Sequence, residues 1–439
     1  MLQGVQNIFK IPDLRKKILF TLGMVVLYRF GTHIPVPGLN PYAVKALLEG
    51  LRGTVFGLFD IFVGGALSRA SIFALGVMPY ISASIIFQLL GSAFPKIQKM
   101  QQDEEGRRKI NQYTRYLTVL IGALQALGIA AYLEMQPPVS VGGEMARIVA
   151  HPGFLFRFIT MISLTTGTVF LMWIGELITE KGIGNGISFL IFVGALDRIP
   201  SDFARTIASV RAGSLSLFVL FIVIIIIVIV FAAMVAITQA VRKIPVQYPR
   251  RIVGRRIYGG QSTFLPLRVN TAGVIPIIFA QSMIMIPGTF ASFFKGPIAQ
   301  QIKSFISPGN WVYDIAFAGL IIFFAYFYTS VVFNPQDVAN NMKRYGGFVP
   351  GIRPGQRTAE YLDTVLSRIT LPGGLFLAFI ALLPWWLMQR LNVPFYFGGT
   401  TYLIIVGVAL DTIQQIESHL LMRSYEGLLK GMRIKGRRY

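Results

Sequence analysis

The run 215–237, LSLFVLFIVIIIIVIVFAAMVAI, contains one serine and no charge. A chain carrying it cannot fold as an ordinary soluble domain. A helix needs about 20 mostly apolar residues to cross the hydrocarbon layer of a bilayer. At about 1.5 Å per residue this run reaches roughly 34 Å, enough to span with some tilt. Less pure runs occur near 18–36, 71–91, 116–134, 154–178, 183–200, 271–292, 313–333, 371–389 and 402–420. The pattern predicts an all-α membrane protein with ten transmembrane helices and both termini on one side. Composition agrees. Hydrophobic residues make up 54% and charged residues 14%, against about 25% charged in an average soluble domain. Cysteine is absent, which excludes a disulfide scaffold.

Basic residues between the runs set the orientation, because Lys and Arg stay on the cytoplasmic side. The termini and the even-numbered connections hold 29 of the 41 Lys and Arg, the other connections 10. This bias places both termini and the large basic loops in the cytoplasm. Arg15, Lys16 and Lys17 precede the first run as in a signal peptide. No small-x-small cleavage site follows and nine more runs do, so a retained first span is expected, ending outside at the helix-breaking IPVPG of 34–38. The chain divides near 200–213, with five spans in 1–200 and five in 201–439. Halves with an odd number of spans insert in opposite orientations, which suits a pseudo-two-fold pair with a path between them. No repeat between the halves is evident, so hydropathy alone carries this symmetry.

Residues 55–67, VFGLFDIFVGGAL, are apolar but too few to cross, and Asp60 and two glycines interrupt them. They read either as a short amphipathic helix on the outer surface or as a re-entrant half-helix. The second is tolerated only where protein or a water-filled cavity surrounds it.

Catalytic signatures are missing. His33, His151 and His419 are far apart, no HExxH occurs, and the dipeptide Gly-Lys that a Walker A loop needs is absent. GIGNG at 182–186 reads as a tight turn after a span. Ion-coupled transport needs ionisable groups near the bilayer midplane. Here Arg29, Arg157, Glu176, Asp314 and Asp411 all fall near span ends, where helix-end ion pairing or interface anchoring explains them. Any energy must come from a partner or a gradient.

Two spans are unusual. The one at 71–91 contains MPYISAS, with Pro79 amid small polar residues; the one at 271–292 contains Pro276, Pro287, Gln281 and Ser282. Such residues weaken a helix and permit close, adjustable contact. These spans read as static kinked helices or as a seam that opens. The loops are informative too. Residues 239–270 hold Arg242, Lys243, Arg250, Arg251, Arg255, Arg256 and Arg268 with no acid, and a second long loop covers 334–370. Long ordered loops usually bind something, and Arg clusters suit carboxylates and phosphates, including ribosomal RNA.

Six strings then point to a family: GGALSRASIFALGVMPYISASIIFQLL (64–90), GRRKINQYTRY (106–116), LMWIGELITEKGIGNGIS (171–188), GRRIYGGQSTFLPLRVNTAGVIP (254–276), NPQDVANNMKRYGGFVPGIRPG (334–355) and VPFYFGGT (393–400). They resemble the SecY/Sec61-alpha family of protein-conducting channel subunits from about residue 8 to the C-terminus. The resemblance implies a ten-span clamshell split between spans five and six. It implies a plug at about 57–69 (Leu58, Phe59, Asp60, Ile61, Phe62, Val63, Gly64, Gly65, Ala66 and Leu67). It implies a lateral gate with Ser82 and Gln88 on one side and Asn270, Gln281 and Ser282 on the other. The family's aliphatic pore ring falls on Val77, Ile81, Ile191, Ile278 and Ile404, with Val77 smaller than isoleucine. The motor ATPase SecA and the ribosome would dock at Arg255, Arg256 and Arg353, with Tyr248 and Arg357 as weaker candidates. SecE, SecG, signal sequences, unfolded preproteins and membrane lipids are the other implied partners. The chain itself would be no enzyme, would carry no cofactor, and would sit in the cytoplasmic (inner) membrane. The competing readings are a small-solute secondary transporter, which lacks a charged midplane site, and a membrane-anchored nucleic-acid binder, suggested by a pI near 10.3.

Overall fold

The fold follows from a computed structural model of the 439-residue chain, which describes residues 11–50, 57, 60, 63–213, 216–248, 251–253, 256–258, 262–292, 296, 301, 305, 309–391 and 399–431. It is mostly helical. α1 (Pro12–Gly31) and α2 (Pro41–Gly50) precede α3 (Met78–Ala93), α4 (Pro95–Gln102) and α5 (Glu104–Glu134). A short hairpin of β1 (Val139–Val141) and β2 (Glu144–Ala146) leads to α6 (Phe154–Lys181), α7 (Gly186–Arg211) and α8 (Leu217–Gln239). Then come β3 (Val241–Gln247), β4 (Arg251–Val253), β5 (Arg256–Tyr258) and β6 (Ser262–Arg268). The chain closes with α9 (Ile275–Ser292), α10 (Trp311–Val332), α11 (Pro335–Arg344), α12 (Gln356–Leu391) and α13 (Gly399–Gly431).

Among the described residues, five helices are long and apolar enough to cross a membrane: α5, α6, α8, α10 and α12. The other predicted spans coincide with α1, α3, α7, α9 and α13. These are shorter or carry more polar and charged residues, so length and composition alone do not make ten crossings. α3 is only 16 residues, and the chain turns by 116° into α4. The purest run forms α8, whose buried residues are only Val223 and Met234. An all-apolar helix exposed nearly all round has lipid as its natural solvent.

Two expectations change in detail. The run 71–91 is not helical throughout. Residues 63–77 are a succession of turns, and helix begins at Met78. The run 183–200 continues as helix through Pro200 to Arg211, so residue 200 lies inside α7. The turn at 182–186 is as expected. Asn185 caps α7 by accepting from Ser188 N at 3.1 Å. A Cβ on Gly186 would lie 2.0 Å from the Gly175 carbonyl oxygen, so only glycine lets α7 start this close to α6.

The main core gathers residues from α1, α3, α6, α7, α9, α10, α12 and α13 around one centre. A second core joins α2, residues 67–75, α5 and α6. A third lies in the two basic loops. β3 pairs antiparallel with β6 (Ile244 opposite Leu265), and β4 with β5. Ile244, Val246 and Leu267 pack with Met342, Val349, Leu362 and Leu366. A bridge from Gln247 to Phe348 ties the two loops together. The 239–270 stretch, read from sequence as a long ordered loop, thus carries two antiparallel hairpins.

Candidate functional site

The centre of the main core is built by a local device used twice. GVMP (76–79) leads into α3 and GVIP (273–276) leads into α9. Gly76 and Gly273 take left-handed φ values of 58° and 61°, which glycine adopts at little cost. Pro79 and Pro276 then occupy the second position of their helices, where a missing N–H loses nothing. These two prolines therefore start helices rather than kink spans; only Pro287 lies within α9. The same spacing from glycine carries Val77 and Ile81 at the first of these turns and Val274 and Ile278 at the second.

Val77, Ile81, Ile191, Ile278 and Ile404 are each 7% exposed or less and belong to a single apolar cluster. They come from the start of α3, from α7, from α9 and from α13. Val274 is buried in the same cluster, a member that the sequence reading does not single out. Against this cluster opens a cavity of about 450 Å³. Ile81, Ile191 and Ile278 line it together with Gln88, Asn111, Arg115, Glu176 and Asn185. Arg115 on α5 reaches Glu176 on α6 through Nε at 3.0 Å and Nη2 at 2.8 Å. That forked pair fixes the cavity wall while leaving it polar. A cavity with mixed polar and aliphatic walls thus ends on the buried aliphatic cluster.

α3 and α9 pack against each other beside this cluster. Ser282 donates to Met78 Sδ at 3.4 Å. Ser82, Gln281 and Ser282 are buried, and Asn270 is 9% exposed just ahead of α9. Gln88 instead borders the cavity and donates to Ser84 on its own helix at 3.1 Å. The contact between the helices is apolar with a few small or polar side chains, and no salt bridge joins them among the described residues.

Leu58, Phe59, Ile61 and Phe62 lie outside the described residues. Asp60, Val63, Gly64, Gly65, Ala66 and Leu67 are all buried, so this part of the segment sits within protein and not on the outer surface. Gly65 N donates to Asp60 O at 2.8 Å, and Ser68 N to Asp60 Oδ1 at 2.9 Å, closing a compact loop. Val63 and Ala66 share the cluster of the throat residues. A Cβ on Gly76 would stand 3.2 Å from both Val63 methyls, so Val63 rests on the turn that begins α3. Leu67 belongs to the second core.

Arg255 lies outside the described residues. Arg256 is in β5, opposite Val253. Arg353 and Arg357 are exposed on the second basic loop and line one shallow depression with Glu360, Tyr361 and Thr364. A Cβ on Gly347 would be 2.8 Å from the Tyr248 ring, so Tyr248 helps join the two loops. Four of the charges near span ends, Arg29, Arg157, Glu176 and Asp314, have side-chain partners. Arg157 Nε meets Glu134 at 2.5 Å, Trp386 Nε1 donates to Asp314 at 3.1 Å, and Arg29 meets Asp197.

The SecY family pattern matches residues 71–413. The protein translocase subunit SecY of Aquifex aeolicus (strain VF5) is 45% identical over 432 residues, covering 98% of this chain and 100% of the relative. A solved channel, described as showing that the SecY plug domain stabilises the closed state and maintains a membrane seal, superposes with a TM-score of 0.65. It is 18% identical and covers 96% of this chain and 95% of its own. Sec61 from the canine ribosome–channel complex gives a TM-score of 0.58 at 18% identity, covering 96% and 95%. At that identity the two structures show the shared fold.

Proposed function

The chain belongs to the SecY family of protein translocase subunits, and on that footing we propose that its throat is the passage for unfolded polypeptides in a multi-pass membrane protein. The observation that carries this reading is the single buried cluster of Val77, Ile81, Ile191, Ile278 and Ile404, three of which, Ile81, Ile191 and Ile278, also line a cavity with mixed polar and aliphatic walls. Such a constriction offers a passing chain no fixed hydrogen-bond partner, so it seals without gripping. The repeated GVMP and GVIP turns support a division into two five-span halves, meeting at the connection after α7. α3 and α9, one from each half, form the lateral gate, with Ser82, Gln88, Asn270, Gln281 and Ser282 along it. Residues 57–69 are the plug.

The chain is a passive, gated conduit and turns over no nucleotide itself. A hydrophobic signal sequence inserts between α3 and α9 and favours the open state because it binds that state better. The plug leaves, the chain passes, and hydrophobic segments exit sideways into lipid. Arg255, Arg256 and Arg353 are the docking residues for SecA, which hydrolyses the ATP, and for the ribosome, whose RNA phosphates suit clustered arginines. SecE and SecG complete the complex. The protein resides in the cytoplasmic membrane with both termini inside, as the 29 to 10 distribution of basic residues supports. The test is reconstitution: proteoliposomes with this chain and SecE, given SecA, a precursor and ATP, should internalise the precursor. ATP-dependent protection that persists without this chain would refute the reading, as would saturable ion-coupled uptake of a small solute by the chain alone.

A further inference from the structure

A cluster of charges touches the plug segment from the wall of α1 and α7. Asp197, on α7, has a side chain only 11% exposed. Its carboxylate accepts from two guanidinium groups: Arg29 of α1 on Oδ1, and Arg69, at 2.9 Å, on Oδ2. These partners stand 168 and 128 residues away in the chain. Arg69 is the last residue of the plug segment and also donates through Nη1 to Gly64 O at 3.4 Å. Beside it, Tyr28 donates to Val63 O at 3.4 Å. Gly64 lies so close to Gly194, one turn of α7 before Asp197, that a Cβ on Gly64 would be 2.7 Å from Gly194 Cα. The side chains that hold residues 63–69 to this wall therefore converge on one spot.

The charge count is uneven. Two guanidinium groups share one carboxylate, and Arg29 Nη1 is buried without a hydrogen-bond acceptor. An opposite charge in a partly buried site attracts more strongly than at the surface, and a surplus like charge repels in the same proportion. If Arg69 departs, it takes a guanidinium into water and leaves Arg29 and Asp197 as a neutral pair. Release then avoids stranding an uncompensated buried charge, which is what makes the rupture of an isolated buried pair so costly.

We propose that Asp197 is the latch that holds the plug seated: its bond to Arg69 breaks when the throat opens, while its bond to Arg29 persists. Asp197 is a positioning residue and does not touch the passing chain. This inference rests on reading 57–69 as a plug, and the test separates the two. The chain has no cysteine, and Val63 is 3% exposed when seated. V63C therefore reports unseating through its rate of reaction with a membrane-impermeant maleimide. The full-length protein, co-purified with its partner subunits and placed in proteoliposomes, is measured at rest and with an arrested precursor. D197N and R69Q should each raise resting labelling roughly tenfold, the order expected for losing a partly desolvated charge-assisted hydrogen bond. The double variant should label no faster than either single one, because both remove the same contact. R29Q removes the cation that stays behind, and its resting labelling should remain near that of the parent. A purely structural cluster would make all three variants alike, and that result overturns the latch, as does unchanged labelling in D197N or an additive double variant. Should D197N fail to accumulate, R69Q on the moving segment decides alone. Labelling that does not rise when a precursor engages the parent overturns the plug reading itself; a rise there with no effect of D197N or R69Q overturns only the latch.

Discussion

Gly64→Ala should open the resting channel. Gly64 has φ +67°, and an L-residue held in that left-handed region costs about 1–2 kcal/mol. Its new methyl would lie 2.7 Å from Gly194 Cα and 3.1 Å from Gly194 O. Both neighbours are backbone of α7 and cannot rotate away, so the contact adds to the conformational cost. A penalty on the order of 2 kcal/mol on the seated state corresponds to roughly a 30-fold change in the ratio of open to closed channels. The rest of the molecule should stay folded, since the segment is a small unit that can open locally. Gly194→Ala makes a milder demand, with its Cβ 3.1 Å from the Tyr28 hydroxyl and 3.3 Å from Gly64 Cα and without a left-handed φ. Its effect should be several-fold smaller. Ion conductance of planar bilayers holding equal amounts of each variant, without precursor, reads this directly. Parent-like conductance in Gly64→Ala would show that the seated state needs neither the left-handed backbone nor the close approach to α7. A larger effect of Gly194→Ala would show that the clash is assigned to the wrong partner.

Three further outcomes follow from the same geometry. Ile278→Asn puts an amide into the apolar cluster, where an unpartnered polar group costs about 1–3 kcal/mol; water should enter with it, and resting conductance should rise several-fold, on the order of that penalty. Deleting 58–67 should leave a folded channel that leaks ions more readily, whereas unchanged conductance would mean the segment seals nothing. Arg353→Glu reverses an exposed charge outside the three cores, so SecA-driven export should fall more than membrane-protein insertion, and equal loss of both would indicate misfolding.

Hydropathy located the helices because a bilayer tolerates so few backbone arrangements. α8 is legible from composition alone. The start of α3 is not: residues 71–77 are as apolar as a span, but Gly76 and Pro79 impose a turn and a helix start that a hydropathy window averages away. The same averaging conceals the match of GVMP to GVIP, and with it Val274. The hairpin was legible in principle. Ile244 and Val246 point inward at the strand period of two, but the density of Arg and Lys around them suggests a solvated loop instead. Val77, Ile81, Ile191, Ile278 and Ile404 carry no local signal, since an isoleucine buried in this cluster looks in the sequence like one facing lipid, and only the family resemblance picks them out. Asp197 was out of reach altogether, because both of its partners are more than a hundred residues away.

The central claim is that the five buried aliphatic side chains surround the translocating polypeptide. Single cysteines at Val77, Ile81, Ile191, Ile278 and Ile404, each carrying a short crosslinker, should capture a precursor arrested midway. Cysteines at Ile224 and Val228 on α8, 50% and 61% exposed, should capture none. Capture on α8 with none at the five buried positions would contradict the account.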